Sequence, residues 1–221
     1  MQLEPIAFYH CPIADKFGIP RQSGLAPGLH GEIVLCAPFA RPEAMKGLSE
    51  FSHIWLIWEF NLNSPGKGLT VRPPRLGGNE RVGVFASRSP FRPNPLGLSA
   101  VRIESIDSAK GIIAVSGADL ADGTPIYDIK PYVPYSDCIH DAKAGFTSVR
   151  WDRLSVVFDC ELDEELTARK DALVQLLELD PRPQYQDDPH RLYGLSFAGR
   201  DIHFRVEGRT LHLIDISSPE S

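Results

Sequence analysis

No apolar run in the first 140 or so residues is longer than a strand. Ile33-Val34-Leu35-Cys36, Ile54-Trp55-Leu56-Ile57-Trp58, Val82-Gly83-Val84-Phe85-Ala86 and Ile112-Ile113-Ala114-Val115 are each bounded by turn residues. Leu98 to Ile106 alternates in part, with Val101 and Ile103 on one face. Runs this short, punctuated by Gly and Pro, predict a mainly β region folded as a barrel or a sandwich. Several are apolar at consecutive positions, so both faces are expected to be covered. One short helix is predicted over Pro42 to Leu48, where Pro42 suits a first helical turn and Gly47 an end.

The style changes after about residue 145. Arg153 to Phe158 reads as a strand. Leu162 to Leu179 reads as a helix, with Leu162, Leu166, Leu173 and Leu177 spaced for one face and Asp163, Glu164 and Glu165 at the end that favours acids. Asp180-Pro181 stops it, because a residue before proline resists helical geometry. Leu195-Ser196-Phe197, Ile202 to Val206 and Leu211 to Ile216 follow as strands, the last two joined through Glu207-Gly208-Arg209 as a hairpin. The expected division is residues 1–145, mainly β, and residues 146–221, a small α+β domain.

Several classes are excluded. Hydrophobic residues make up 43% of the 221, enough for a core, yet no run approaches the roughly 18 apolar residues of a membrane span. The acidic, proline-bearing start Met1-Gln2-Leu3-Glu4-Pro5 is unlike a signal peptide, so a cytoplasmic protein with no membrane partner is expected. Cys11, Cys36, Cys138 and Cys160 form no C-x-x-C pair, and the His/Cys spacing suggests no metal. The net charge of −6 argues against a generic nucleic-acid coat. Yet Lys67, Arg72, Arg75, Arg81, Arg88, Arg92 and Arg102 face one acid, Glu80, between positions 67 and 102, a local +6. That suits an anionic ligand at one face; a solvated loop tied to the acidic remainder accounts for it equally.

Five stretches hold residues a core does not need: Pro20-Arg21-Gln22; Phe51-Ser52-His53, leading to Phe60-Asn61; Arg88 to Gly97; Asp122-Gly123-Thr124-Pro125 with Asp128, Lys130 and Tyr132; and Asp180-Pro181-Arg182-Pro183-Gln184-Tyr185. Pro73-Pro74, Pro90, Pro93 and Pro95 fix φ and remove donors, so their segment is an ordered loop and not a central strand. Arg88 and Arg92 on that loop present two planar forks suited to carboxylate or phosphate. Asp122 to Pro125 has tight-turn chemistry. Asp128, Lys130 and Tyr132 follow at period two, which on a strand puts them on one face. His53 beside Trp55 and Trp58 reads as structural. No phosphate-binding glycine loop, dinucleotide fingerprint or nucleophile elbow is present.

Together these segments resemble the TrmO family of tRNA methyltransferases, also called TsaA-like or YaeB-like, from about Ile6 to Tyr135, with Asp-Pro-Arg-Pro-x-Tyr as a second match. The resemblance implies an N-terminal β-barrel that dimerises, not a Rossmann sheet. It implies transfer of a methyl group from S-adenosylmethionine to N6 of threonylcarbamoyl-adenosine at position 37, beside the anticodon. By the same resemblance the cofactor contacts are Pro20, Arg21, Gln22, Phe60, Asn61, Arg88, Leu98, Asp122, Gly123, Thr124 and Pro125. Asn61 departs from the histidine expected there; it keeps hydrogen-bonding capacity but cannot titrate near neutrality.

The chemistry of the residues agrees. The amino-acid end of S-adenosylmethionine is a zwitterion, for which Arg88 and Asp122 are candidate partners. Asp128, Lys130 and Tyr132 are candidates to assist loss of the acceptor's proton. Arg72, Arg75, Arg81 and Arg92 are expected on tRNA phosphates in the anticodon loop, with Tyr132 or Phe91 stacking on the splayed base. The rival readings are a non-catalytic RNA-binding module and a methyltransferase with another acceptor.

Overall fold

Alternation along the strand His53–Glu59 orients the fold. Ile54, Leu56 and Trp58 are buried, while His53, Trp55, Ile57 and Glu59 lie on the opposite face, the period of a strand with one face on a core. The structure, a computed structural model, describes residues 2–64, 66, 68–77, 79–148, 152–183 and 188–219. Lys67, Gln184 and Tyr185 of the sequence motifs lie outside the described residues. In chain order the strands are β1 (Ala7–His10), β2 (His30–Leu35), β3 (His53–Glu59), β4 (Thr70–Val71), β5 (Val82–Gly83), β6 (Leu96–Asp107), β7 (Ile112–Ser116), β8 (Thr124–Pro131), β9 (Ser155–Phe158), β10 (Tyr193–Phe197), β11 (Arg200–Glu207) and β12 (Thr210–Ser217). The α-helices are α1 (Pro134–Asp137), α2 (Glu164–Ala168) and α3 (Lys170–Glu178).

Between barrel and sandwich the structure is a barrel. The order β1-β2-β7-β6-β3-β8 closes because β8 returns antiparallel to β1, and closure leaves no edge to cap. Tyr9, Ile33, Ile54, Leu56, Val101, Ile113 and Ile126 fill the interior. Trp58 fits only because Gly97, its cross-strand partner, has no side chain: a Cβ there would sit 2.2 Å from the indole.

Three local expectations change. Val82–Ala86 is a strand only at Val82–Gly83; Val84–Ala86 is a 3-10 turn in which Val84 is buried and Phe85 is 81% exposed, so the run is not a strand with a face on the core. Pro42–Leu48 is not a helix. It belongs to two 3-10 turns, Pro42–Met45 and Leu48–Glu50, parted by Gly47 at φ 82, and Met45 alone among those turn residues is buried. A left-handed residue interrupts the helical ladder, and one anchored side chain cannot hold a longer helix. The helix over Leu162–Leu179 is split at Arg169 into α2 and α3. Its predicted face survives: Leu166, Leu173 and Leu177 are buried. Asp163 caps α2 by accepting from the Leu166 N–H at 2.8 Å.

The C-terminal part is a four-stranded sheet, β10-β11-β12-β9, with α2 and α3 against it and β9 parallel to β12. The expected β11–β12 hairpin is present. Its core is completed by Ile13, Ala26 and Leu29, which come from the segment joining β1 to β2. The Gly28 N–H donates to Gln175 Oε1 at 2.7 Å and the Ala198 N–H to the Pro12 carbonyl at 2.8 Å. The segment that carries Pro20-Arg21-Gln22 is thus clamped between the two parts.

Candidate functional site

Gln22 and Arg88, 66 positions apart, meet: Arg88 Nη1 donates to Gln22 Oε1. Arg88 is exposed, and this bond occupies one of its two terminal nitrogens. Beside it lies Asp119, which sequence reasoning missed. Asp119 Oδ1 accepts from Ser99 Oγ at 2.5 Å, and Ser99 in turn accepts from Trp58 Nε1 at 2.9 Å. Burial pushes the Asp119 carboxyl up, while Ser99, the backbone N–H groups of Asp119 and Ser23, and the Arg88 charge pull it back. Phe60 packs its ring 4.4 Å from Trp58 and its N–H donates to the Pro95 carbonyl at 2.8 Å. One connected path therefore runs from Phe60 through Trp58, Ser99 and Asp119 to Ser23, Gln22 and Arg88. The available signal for Asp119 was an ionisable residue inside an otherwise apolar stretch, three positions before Asp122.

The turn Asp122-Gly123-Thr124-Pro125 is built against the end of β1. The Asp122 N–H donates to the Ile13 carbonyl and the Gly123 N–H to the Tyr9 carbonyl, each at 2.8 Å. Gly123 has φ 73, a backbone state that favours glycine. Thr124 is 1% exposed. The Asp122 carboxylate accepts from the Cys11 N–H at 3.1 Å and lies 3.1 Å from His10 Nδ1. The carboxylate beside Arg88 is Asp119, whereas Asp122 anchors the turn.

Leu98 and Asp128 occupy one row on the outer barrel face: Leu98 pairs with Ile57, and Ile57 with Asp128. Leu98 is 59% exposed. Asp128 and Lys130 do share a face, and their side chains pair at 2.9 Å. Tyr132 falls just past β8, its ring 5.4 Å from Trp55. Its crowded setting, then Cys138 and Asp137, push the phenol up. Asn61 is exposed in the turn after β3.

The arginines divide. Arg92 turns back onto its own loop, donating through Nη1 to the carbonyls of Ser87 and Ser89 at 2.9 and 3.4 Å, so the structure ties it as a brace and not as the second fork of a clamp with Arg88. Arg81 braces the β4–β5 ribbon through Thr70 Oγ1 at 2.8 Å. Arg72 is exposed. Arg75 donates to the Thr147 carbonyl at 3.3 Å and lies near enough to Arg21 to act on its charge. The Arg21 guanidinium donates to the Asp180 carbonyl at 3.3 Å, while the Arg21 carbonyl accepts from Gln22 Nε2. Protein atoms crowd it, and burial lowers its pKa to about 10, Asp180 opposing and Arg75 adding to the drop. Asp180, at φ 53, holds Arg182 in a fork at 2.8 and 2.9 Å.

The donor set fits the zwitterionic end of S-adenosylmethionine: a guanidinium and a carboxylate within electrostatic reach of each other, with apolar Phe60 on the connected path. Among the described residues no three His, Cys, Asp or Glu side chains gather to hold a metal, and no helix is long and apolar enough to cross a membrane.

Comparison with known proteins follows the same segments. The family model of the tRNA-methyltransferase O N-terminal domain matches residues 8–138, and that of the TrmO C-terminal domain residues 152–219. The chain is 38% identical over 218 residues to the tRNA (adenine(37)-N6)-methyltransferase of Escherichia coli (strain K12), covering 93% of each. It is 42% identical over 212 residues to a Pseudomonas aeruginosa protein, RcsF, whose name describes S-adenosylmethionine dependence, covering 91% of each. A crystal structure of TrmO from Pseudomonas aeruginosa superposes with a TM-score of 0.81 at 32% identity, covering 99% of both chains.

Proposed function

This chain belongs to the tRNA-methyltransferase O family, and on that premise we propose that it transfers a methyl group from S-adenosylmethionine to N6 of adenosine 37 in tRNA, with threonylcarbamoyl-adenosine as the acceptor. The observation that carries the reading is the Gln22–Arg88 bond beside Asp119, which brings residues from separate loops to one zwitterion-sized donor set. Pro20, Arg21 and Gln22, Phe60 and Asn61, Arg88, Leu98 and Asp122 to Pro125 form the cofactor site of this proposal. Arg88 takes the cofactor's carboxylate and Asp119, in place of Asp122, its ammonium. When bound, S-adenosylmethionine supplies an electrophilic methyl group on a sulfonium.

The protein's part is positioning, which supplies on the order of 7–11 kcal/mol of a barrier when reacting groups are well aligned. Gln22 fixes the Arg88 fork, and Asp119 holds both the Ser23 backbone and the strand that carries Leu98. The acceptor nitrogen must lose a proton as its new bond forms. Asp128, paired with Lys130 in the same row as Leu98, is the proposed holder of that proton, and Tyr132 lines the acceptor side. The proposal includes a homodimer in the cytoplasm, the anticodon loop as the bound element, and a domain division between residues 145 and 146.

Incubation with S-adenosylmethionine and tRNA bearing threonylcarbamoyl-adenosine, followed by mass spectrometry of the nucleosides, tests the reaction. One methyl gained on that nucleoside is the expected result. A methyl on another nucleoside would give the chain a different acceptor, and tight tRNA binding without transfer would make it a binding module.

Arg75→Ala is expected to lower the slope of log K against log salt for tRNA binding by roughly 0.7–0.9, one phosphate contact. A salt titration that overlays the wild type would remove Arg75 from the RNA footprint.

A further inference from the structure

A second cleft lies behind the cofactor segment. It measures about 200 Å³ and is walled by residues 16–21 on one side and by the end of α3 with Asp180, Pro181, Arg182 and Pro183 on the other. We propose that this cleft seats one unpaired RNA nucleotide next to the methylated adenosine, its base against Phe17 and its phosphate against Lys16 and Arg21; the proposal rests on the RNA-methylating reading above.

Among the described residues, Lys16, Arg21 and Arg182 line the cleft with one carboxylate, Asp180, which is engaged by the Arg182 fork. This is cationic surface on a chain whose net charge is −6. The Arg75 charge disfavours the charge on Arg21, and an anion beside Arg21 offsets that repulsion.

Phe17 is 61% exposed at the rim, and the Lys16 ammonium lies 5.6 Å from its ring centroid. An exposed ring beside cations is the combination that single-stranded nucleic acid uses, the base stacking on the ring and the backbone on the charges. A cleft of this volume admits one base and no duplex.

Pro20-Arg21-Gln22 forms a wall common to both sites: Arg21 faces the cleft and the Asp180 carbonyl, while Gln22 reaches Arg88 on the donor side. A strand that delivers an adenosine to the donor has to lay its neighbouring nucleotide close to that wall. Pro20, Pro181 and Pro183 stiffen both sides, which lowers the ordering cost of binding.

The test uses the full chain and an anticodon stem-loop RNA, read by fluorescence anisotropy. Phe17→Ala is expected to weaken RNA binding roughly tenfold, and Phe17→Tyr, which keeps the ring, to stay within about twofold. Lys16→Ala is expected to lower the salt slope by about 0.7. Donor affinity of Phe17→Ala, measured by calorimetry without RNA, is expected to match the wild type. Wild-type RNA affinity in Phe17→Ala, or an equal loss in Phe17→Tyr, overturns the proposal while the methyltransferase reading stands. A wild-type chain that neither binds nor methylates the RNA overturns both.

Discussion

Arg88→Ala weakens S-adenosylmethionine binding by about 10- to 150-fold and leaves the barrel folded: this is the expected outcome of calorimetry and thermal melting on the variant. A hydrogen bond to a charged group contributes about 1.5–3 kcal/mol net, and each 1.4 kcal/mol is tenfold in affinity. Arg88 is exposed and outside the buried core, so its loss removes a ligand contact and little packing. A dissociation constant within twofold of wild type would take Arg88 out of the site.

Asp119→Asn sharpens this result because it divides binding from stability. Burial raises the Asp119 pKa in the folded protein. A carboxyl raised above its unfolded value stabilises the fold fully at pH below the ordinary carboxylate range, and that contribution is lost as pH rises through the folded value. At pH 7 the neutral amide is therefore expected to cost no melting temperature, and any advantage over wild type is expected to shrink as the pH is lowered into the acid range. Donor affinity is expected to fall about tenfold, since the ligand ammonium loses its charged partner. A large drop in Tm with unchanged affinity would make Asp119 a purely structural residue.

Gly97→Ala is expected to destabilise the protein by about 3 kcal/mol, combining overpacking with loss of a buried hydrogen bond. The added Cβ would lie 2.2–2.7 Å from three atoms of the Trp58 indole, which is 5% exposed and cannot move outward through its own sheet. Displacing that ring breaks the Trp58–Ser99 bond and with it one support of Asp119. For a chain of this size the loss corresponds to roughly 6–12 °C in Tm, with a change in tryptophan fluorescence. A variant that melts with the wild type would show that the barrel has slack at this position.

Strand-length apolar runs, punctuated by Gly and Pro, were enough to determine a mainly β first part, because a strand's period and length are local properties of the chain. The leucine spacing that places Leu166, Leu173 and Leu177 on one face was equally legible, as was the acidic start of that helix, whereas the capping role of Asp163 came with the structure. The family motifs were readable for the same reason: each is a short contiguous string. Local patterns misled where tertiary packing overrides them. Val84-Phe85-Ala86 is apolar yet lies off the barrel, and Arg92 is a fork in sequence but a brace in space.

The closure of β8 onto β1, the pairing of Gln22 with Arg88 across 66 positions and the role of Asp119 belong to the tertiary structure alone. So does the clamping of the β1–β2 segment by the C-terminal part more than 100 residues later, through Gln175 on α3 and Ala198 in the β10–β11 turn. The physical reason is common to all of these. A hydrogen-bond period or a turn preference is decided within a few residues, whereas a buried carboxylate and a cleft walled by residues 16–21 and 180–183 depend on which distant segments the fold brings together.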